Sequence, residues 1–136
     1  MSYLFDSSSI FIAFKRDKED LLLDNYTINL AIFELGNIIW KEAYVFRSMT
    51  RKDAVEILDM FSEILSTMKI IEIRSLKREI LNLAVEMGVT YYDAAYAYVA
   101  KDKNLILVTE DKRLRNALSE SSIKVINLDQ LNKAVR

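Results

Sequence analysis

The sequence predicts an α/β fold, a three-layer sandwich on a mainly parallel central sheet. Three observations carry that prediction. Short apolar runs alternate with longer helical stretches along the whole chain, the order expected of βαβ units. Leu105-Ile106-Leu107-Val108 is continuously apolar, as in a strand covered on both faces. Just before it, Ala94, Ala95, Ala97 and Ala100 make a thin helix whose backbone can lie close to a sheet. At 136 residues the chain suits a single domain over 1–136, long enough to bury a sizeable core.

Each element has its own justification. Tyr3-Leu4-Phe5 is a short apolar strand ending at Asp6, and Ser7, Ser8 or Ser9 can cap the helix suggested by residues 10–14. Residues 15–20 are a solvated charge run. Leu21, Leu22 and Leu23 pack on the core before a second strand at Tyr26–Ile28. Residues 30–46 read as one long helix. A polar break over 47–52 follows, in which Ser48 or Thr50 caps a helix over 53–68. Its Val55, Leu58, Phe61, Ile64 and Leu65 form an apolar stripe of the kind that normally faces a core. Residues 70–73 suit a strand, and Ser75 caps a helix that runs through Met87 and stops at Gly88. Thr90 begins the next helix in the manner of a capping box, with Asp93 favoured in its first turn by the helix dipole. After the Leu105 strand come a short helix at Lys112–Leu118, a strand over 123–126 and a helix at Leu128–Ala134. The Tyr3 strand is expected near the centre of the sheet, between the Tyr26 and Leu105 strands.

Several acids stand where such a fold places ligands. Asp6 and Asp111 each follow a strand, and open α/β sheets bind ligands at the carboxyl ends of their strands. Asp6 can equally be no more than a helix cap. Asp93 shares a helix face with Ala97 and Ala100, which turns its carboxylate inward. Glu34 lies on an apolar stripe between Leu30 and Ile38 with no cation at i±4, and only Asn37 is polar nearby. It either reaches past its neighbours into water or serves a function, because unpartnered carboxylates seldom sit on such stripes. Glu110, beside Asp111, could substitute for it if the turn is wound differently.

Composition narrows the chemistry. With neither His nor Cys there is no Ser-His-Asp triad, no Cys-His pair, no paired-histidine ribonuclease and no zinc-thiolate or HExxH site. Two glycines, Gly36 and Gly88, cannot build a P-loop or a GxGxxG turn. An enzyme made from this chain is left with carboxylates and a hard metal ion as its leading chemistry. The net charge of −1 gives no global attraction to nucleic acid or membrane, so any RNA contact must be local. Lys101, Lys103, Lys112, Arg113 and Arg115 are one basic group; Arg47, Arg51 and Lys52 are another. Tyr91, Tyr92, Tyr96 and Tyr98 can stack bases, though on a helix such residues are more often core or dimer contacts. No basic signal region opens the chain and no run approaches the roughly 18 apolar residues of a membrane helix, so cytoplasmic residence is expected.

Taken together, YLFDSSS, LAIFELGNIIWK, TYYDAAYAYVAK and LILVTEDKRL resemble the PIN domain, and within it the small VapC-like toxin ribonucleases. The resemblance runs from about Tyr3 to Ile123; the last two motifs are its most specific part, and residues 47–88 carry none. It implies a metal-dependent endoribonuclease in which Asp6, Glu34, Asp93 and Asp111 collect Mg²⁺ or Mn²⁺, with Ser8 and Thr109 in support. It also implies an RNA substrate, a small antitoxin that covers the acidic groove and offers Arg to the carboxylates, and a homodimer. Independently, phosphodiester hydrolysis needs an activated water and charge stabilisation, which a carboxylate-held hard cation supplies. The competing class is a non-catalytic PIN-like scaffold for RNA or protein, disfavoured by retention of all four acids. A phosphorylated receiver-like switch ranks last, because Ser7 rather than a second acid follows Asp6 and no Lys follows the last strand.

Overall fold

A computed structural model describes residues 2–135. Its centre is a five-stranded, wholly parallel sheet: β1 (Tyr3–Phe5), β2 (Tyr26–Ile28), β3 (Lys69–Ile71), β4 (Ile106–Val108) and β5 (Val125–Ile126) in the order β3-β2-β1-β4-β5. The helices are α1 (Ser7–Lys15), α2 (Leu30–Trp40), α3 (Arg51–Ser66), α4 (Lys77–Met87), α5 (Tyr91–Asp102), α6 (Lys112–Leu118) and α7 (Leu128–Ala134). Consecutive strand residues face opposite sides of a sheet. Leu4 and Phe5 on β1, and Leu107 and Val108 on β4, are all fully buried, so both faces of the central strands are covered. The expected central place of β1, between β2 and β4, is observed.

That order fixes where a ligand can sit. From β1 the chain steps outward to β2 and β3, then returns to the other side of β1 for β4 and β5. The reversal lies between β1 and β4, whose carboxyl ends flank the crevice where such folds bind ligands. Phe5 pairs with Val108 there, and the Asp6 N–H donates to the Val108 carbonyl at 3.1 Å. The thin helix α5 buries Ala94, Ala95, Ala97 and Ala100 and packs against both strands.

Several local expectations are corrected. Helix α1 is capped by Asp6 itself, whose carboxylate accepts the Ser9 N–H at 2.9 Å, and not by any of the three serines. Leu22 is buried, but Leu23 is exposed. The long helix over 30–46 stops being α-helical at Trp40 and continues as one wide π turn, Lys41–Val45, closed by the Phe46 N–H on the Lys41 carbonyl. That turn carries Tyr44 and Val45 and is followed by Phe46, all exposed. Of the two candidate caps, Thr50 caps α3 by accepting the Asp53 N–H. The stripe on α3 is core only at its far end, where Phe61 and Leu65 are buried; Val55 and Leu58 are exposed. Ser75 caps nothing, because a 3-10 turn over Arg74–Leu76 leads directly into α4. β3 is shifted one residue earlier than expected, from Lys69 to Ile71, and β4 and β5 are shorter than the apolar runs that contain them. Gly88 ends α4 as expected, with φ +68, the left-handed conformation that glycine adopts at least cost.

Candidate active site

Asp6 sits at the β1-to-α1 junction and is 5% exposed. One carboxylate oxygen accepts the Ser8 hydroxyl at 2.7 Å and the Ser9 N–H; the other accepts the Thr109 hydroxyl. Burial pushes its pKa up to about 6 against the lowering effect of these donors. Thr109, fully buried at the end of β4, also accepts the Asp111 N–H at 3.1 Å, while Ser8 accepts the Glu110 N–H at 3.1 Å. The two hydroxyls therefore lace the end of β1 to the turn after β4. Ser9 seals the seam by donating to the Val108 carbonyl at 2.8 Å.

Glu34 projects from α2 toward the same end of the sheet. Its Oε1 accepts the Tyr96 hydroxyl at 2.6 Å and the Ser7 hydroxyl at 3.2 Å. Burial, then the charge of Asp93, hold its carboxyl above the ordinary range. Asn37, the polar neighbour on its own helix, is replaced in that role by two donors from elsewhere in the chain. Asp93, half-buried in the first turn of α5, is likewise raised by burial and by the charge of Asp111. The Thr90 hydroxyl takes the Asp93 N–H and so caps the helix, and the same side chain acts on the Asp93 carboxylate, opposing the upward push of burial. Asp93 and Asp111 line one cleft of about 550 Å³ with Arg113 and Asn116.

Asp111 is exposed and caps α6 through the N–H groups of Arg113 and Leu114. Glu110 does not replace it: its carboxylate turns away to accept the Leu128 N–H at 3.0 Å. Of the basic groups, Arg115 is turned inward onto the Thr109 carbonyl at 2.8 Å, and Arg47 lies over the Tyr44 ring. Arg113 borders the cleft.

The four acids thus surround one end of the sheet as a chain of neighbours and not as one knot. Among the described residues, no three of them close to the spacing of a shared ion. The reason is local: Asp6, Glu34 and Asp111 are each turned toward protein donors that satisfy them separately, and like charges have no cause to crowd. The donor set itself is all carboxylate and hydroxyl oxygen, which suits a hard cation held by one or two carboxylates and waters.

The comparisons with known proteins agree with this architecture. A family model for the PIN domain matches residues 1–118. This chain belongs to the PIN domain family. It is 39% identical over 116 residues to exonuclease VapC9 of Pyrobaculum aerophilum, covering 84% of each protein. It is 33% identical over 90 residues to ribonuclease VapC3 of the same organism, covering 65% of this chain and 67% of that protein. Among solved structures, PAE2754 from Pyrobaculum aerophilum superposes with a TM-score of 0.82 at 30% identity, covering 100% of this chain and 97% of the other. A toxin-antitoxin complex from Klebsiella pneumoniae shares the fold, with a TM-score of 0.65 at 20% identity over 92% of this chain and 96% of the other. The PIN resemblance seen in the motifs is therefore borne out.

Two side chains that hold Glu34 were not assigned to it from the sequence. Tyr96 sits among alanines on α5, which reads as core, and it is buried; its hydroxyl nonetheless faces Glu34. Ser7 was one of three interchangeable serines, and only the tertiary structure assigns it to Glu34.

Proposed function

We propose that this protein is a VapC-like toxin ribonuclease that hydrolyses phosphodiester bonds within RNA, using Mg²⁺ or Mn²⁺, as a single domain over 1–136. The observation that carries the reading is the set of acids around the β1/β4 crevice. Three of them are held above the ordinary carboxylate range by burial, and two of those also by a neighbouring acid. Such a set is costly in isolation and is relieved by a cation. The names of the two Pyrobaculum relatives support nuclease chemistry, and one of them names RNA as its substrate class.

Asp6, Glu34, Asp93 and Asp111 would hold the ion; the cleft shared by Asp93 and Asp111 is where two carboxylates meet. When bound, a hard divalent cation supplies a water of lowered pKa and charge stabilisation at the phosphate. The chain's own residues do the rest. Ser8 and Thr109 fix the Asp6 carboxylate, Tyr96 and Ser7 orient Glu34, and Arg113 offers a cation to the RNA backbone at the cleft rim.

Purified protein is expected to cleave RNA with Mg²⁺ or Mn²⁺ and to stop in EDTA. A circular RNA separates internal from terminal attack, because only an endonuclease can open it. Cleavage that persists in EDTA would show that no ion is required. Tyr96→Phe removes the shorter of the two hydrogen bonds to Glu34 without changing the ring. It is expected to slow cleavage on the order of tenfold with little change in KM, the usual cost of losing a residue that orients a metal ligand. An unchanged rate would reduce Tyr96 to packing.

The partners follow from the same reading: a small antitoxin whose tail covers the acidic groove, and a second copy of the chain, in the cytoplasm. No helix among the described residues is long and apolar enough to cross a membrane. The exposed Val55 and Leu58 on α3, with Trp40 and Tyr44 across a groove of about 630 Å³, are unburied apolar surface of the kind interfaces cover. Light scattering after size exclusion is expected to give a dimer mass at micromolar concentration; a strict monomer would remove the homodimer.

A further inference from the structure

We propose that Phe33 and Tyr92 form a stacking subsite for one base of single-stranded RNA beside the acids, an inference that rests on the nuclease reading above. Each ring immediately precedes an acid in sequence: Phe33 before Glu34 on α2, Tyr92 before Asp93 on α5. Successive residues on a helix point about 100° apart, so each ring stands beside its acid and not behind it. The two rings, 75% and 59% exposed, line one cleft of about 440 Å³ together with Glu34, Ser7 and Asn37. Two large apolar side chains exposed together in a cleft that holds a buried-side acid are not explained by folding, which would cover them.

The occupant is fixed by charge. Among the described residues no Lys or Arg lines this cleft, so it offers a phosphate no cationic side chain and suits a neutral planar group. The cleft lined by Asp93, the residue after Tyr92, carries Arg113 and Asn116 beside Asp111. Among the described residues, then, the acids line both an aromatic cleft without cations and a polar cleft that carries Arg113. A polynucleotide whose phosphate lies at the acids would lay an adjoining base against Phe33 and Tyr92 and turn its backbone toward Arg113. The Asn37 side chain, exposed at the edge of the aromatic cleft, can both donate to and accept from a base edge. Tyr91 and Tyr92 meet in a T-shaped contact at 6.4 Å, which can cover at most one face of the Tyr92 ring and leaves the other for stacking. Stacking is tolerant of sequence, so this subsite would add affinity without dictating which base is held.

The test is binding of a fluorescent pool of short single-stranded RNAs of random sequence, read by anisotropy across a salt series, with and without Mg²⁺. Tyr92→Ala and Phe33→Ala are each expected to weaken binding about tenfold, within the range that one stacked base contributes. The slope of log affinity against log salt should not change, because no phosphate contact is lost. Tyr92→Phe keeps the ring and should keep wild-type affinity. Arg113→Ala should instead lower that slope by about one. Circular dichroism checks that the exposed-site variants are folded, and cleavage by wild type in the same preparation reports on the nuclease reading by itself. Wild-type affinity in folded Tyr92→Ala and Phe33→Ala, alongside active wild type, would overturn the subsite and leave the nuclease standing. So would a reduced salt slope in those variants, or a loss of antitoxin binding at unchanged RNA affinity, which would make the cleft a protein contact. Wild type that neither binds nor cleaves RNA would sink both.

Discussion

Asp93→Asn is expected to lower RNA cleavage by at least about a hundredfold while leaving the fold intact, the larger end of what losing a group at a metal site costs. The expectation rests on where this acid stands. Its charge raises the Glu34 carboxyl, and its own is raised by Asp111, so it is the link between the two halves of the acid chain. Its structural duty is carried by the backbone: the N–H bonded to Thr90 Oγ1 at 3.1 Å survives replacement of the side chain. Asn is nearly isosteric and neutral, so α5 should start where it does now. Asp6→Asn should be comparably inactive, because Ser8, Ser9 and Thr109 can still hold an amide in that pocket once the hydroxyls rotate. The measurement is kcat on RNA beside a circular dichroism spectrum. Full activity in folded Asp93→Asn would remove the acid chain as the reaction centre and leave Asp93 as an ordinary first-turn residue.

What the sequence could show follows from which forces are local. β1 and β4 were legible because an apolar run is readable without knowing its neighbours, and the acids after them because strand ends carry ligand sites by topology. Glu34 was legible as an anomaly: an acid on an apolar stripe with no i±4 cation calls for a partner. Who the partner is was not, because Tyr96 is 62 residues away and its ring looks like core from α5 alone. The choice of Asp6 over three serines as the α1 cap was equally hidden. All four can cap, and what selects Asp6 is the pull of Thr109 and the pairing with Val108, both from the far end of the chain. Val55 and Leu58 show the converse. Periodicity says which side of a helix is apolar, but not whether another element lies over it. The π turn at Lys41–Val45 left no trace in the pattern at all.

Asp6→Asn should also stabilise the protein, by an amount that depends on pH. The Asp6 carboxyl is raised from its unfolded value of 3.8 to about 6, chiefly by burial. Between those two values the native state holds a proton that the unfolded state has released. Stability therefore falls as pH rises through that window, and it stays at the lower level above it. Two units at 1.36 kcal/mol each put the full effect at about 3 kcal/mol, an amount that one buried carboxylate can contribute in a protein of marginal stability. Asn carries no charge to desolvate, so the variant escapes the loss. Below about pH 4 the two proteins should unfold at similar temperatures, and near pH 7 the variant should unfold at the higher one, both in EDTA. Mg²⁺ should then raise the melting temperature of wild type more than that of the variant, because an ion bound only by the native state stabilises according to its affinity. Thermal melts of both proteins at pH 4 and pH 7, with EDTA or Mg²⁺, give all four comparisons. A variant less stable than wild type at pH 7 in EDTA, with neither protein responding to Mg²⁺, would mean that Asp6 serves only as the α1 cap, its three hydrogen bonds outweighing its burial.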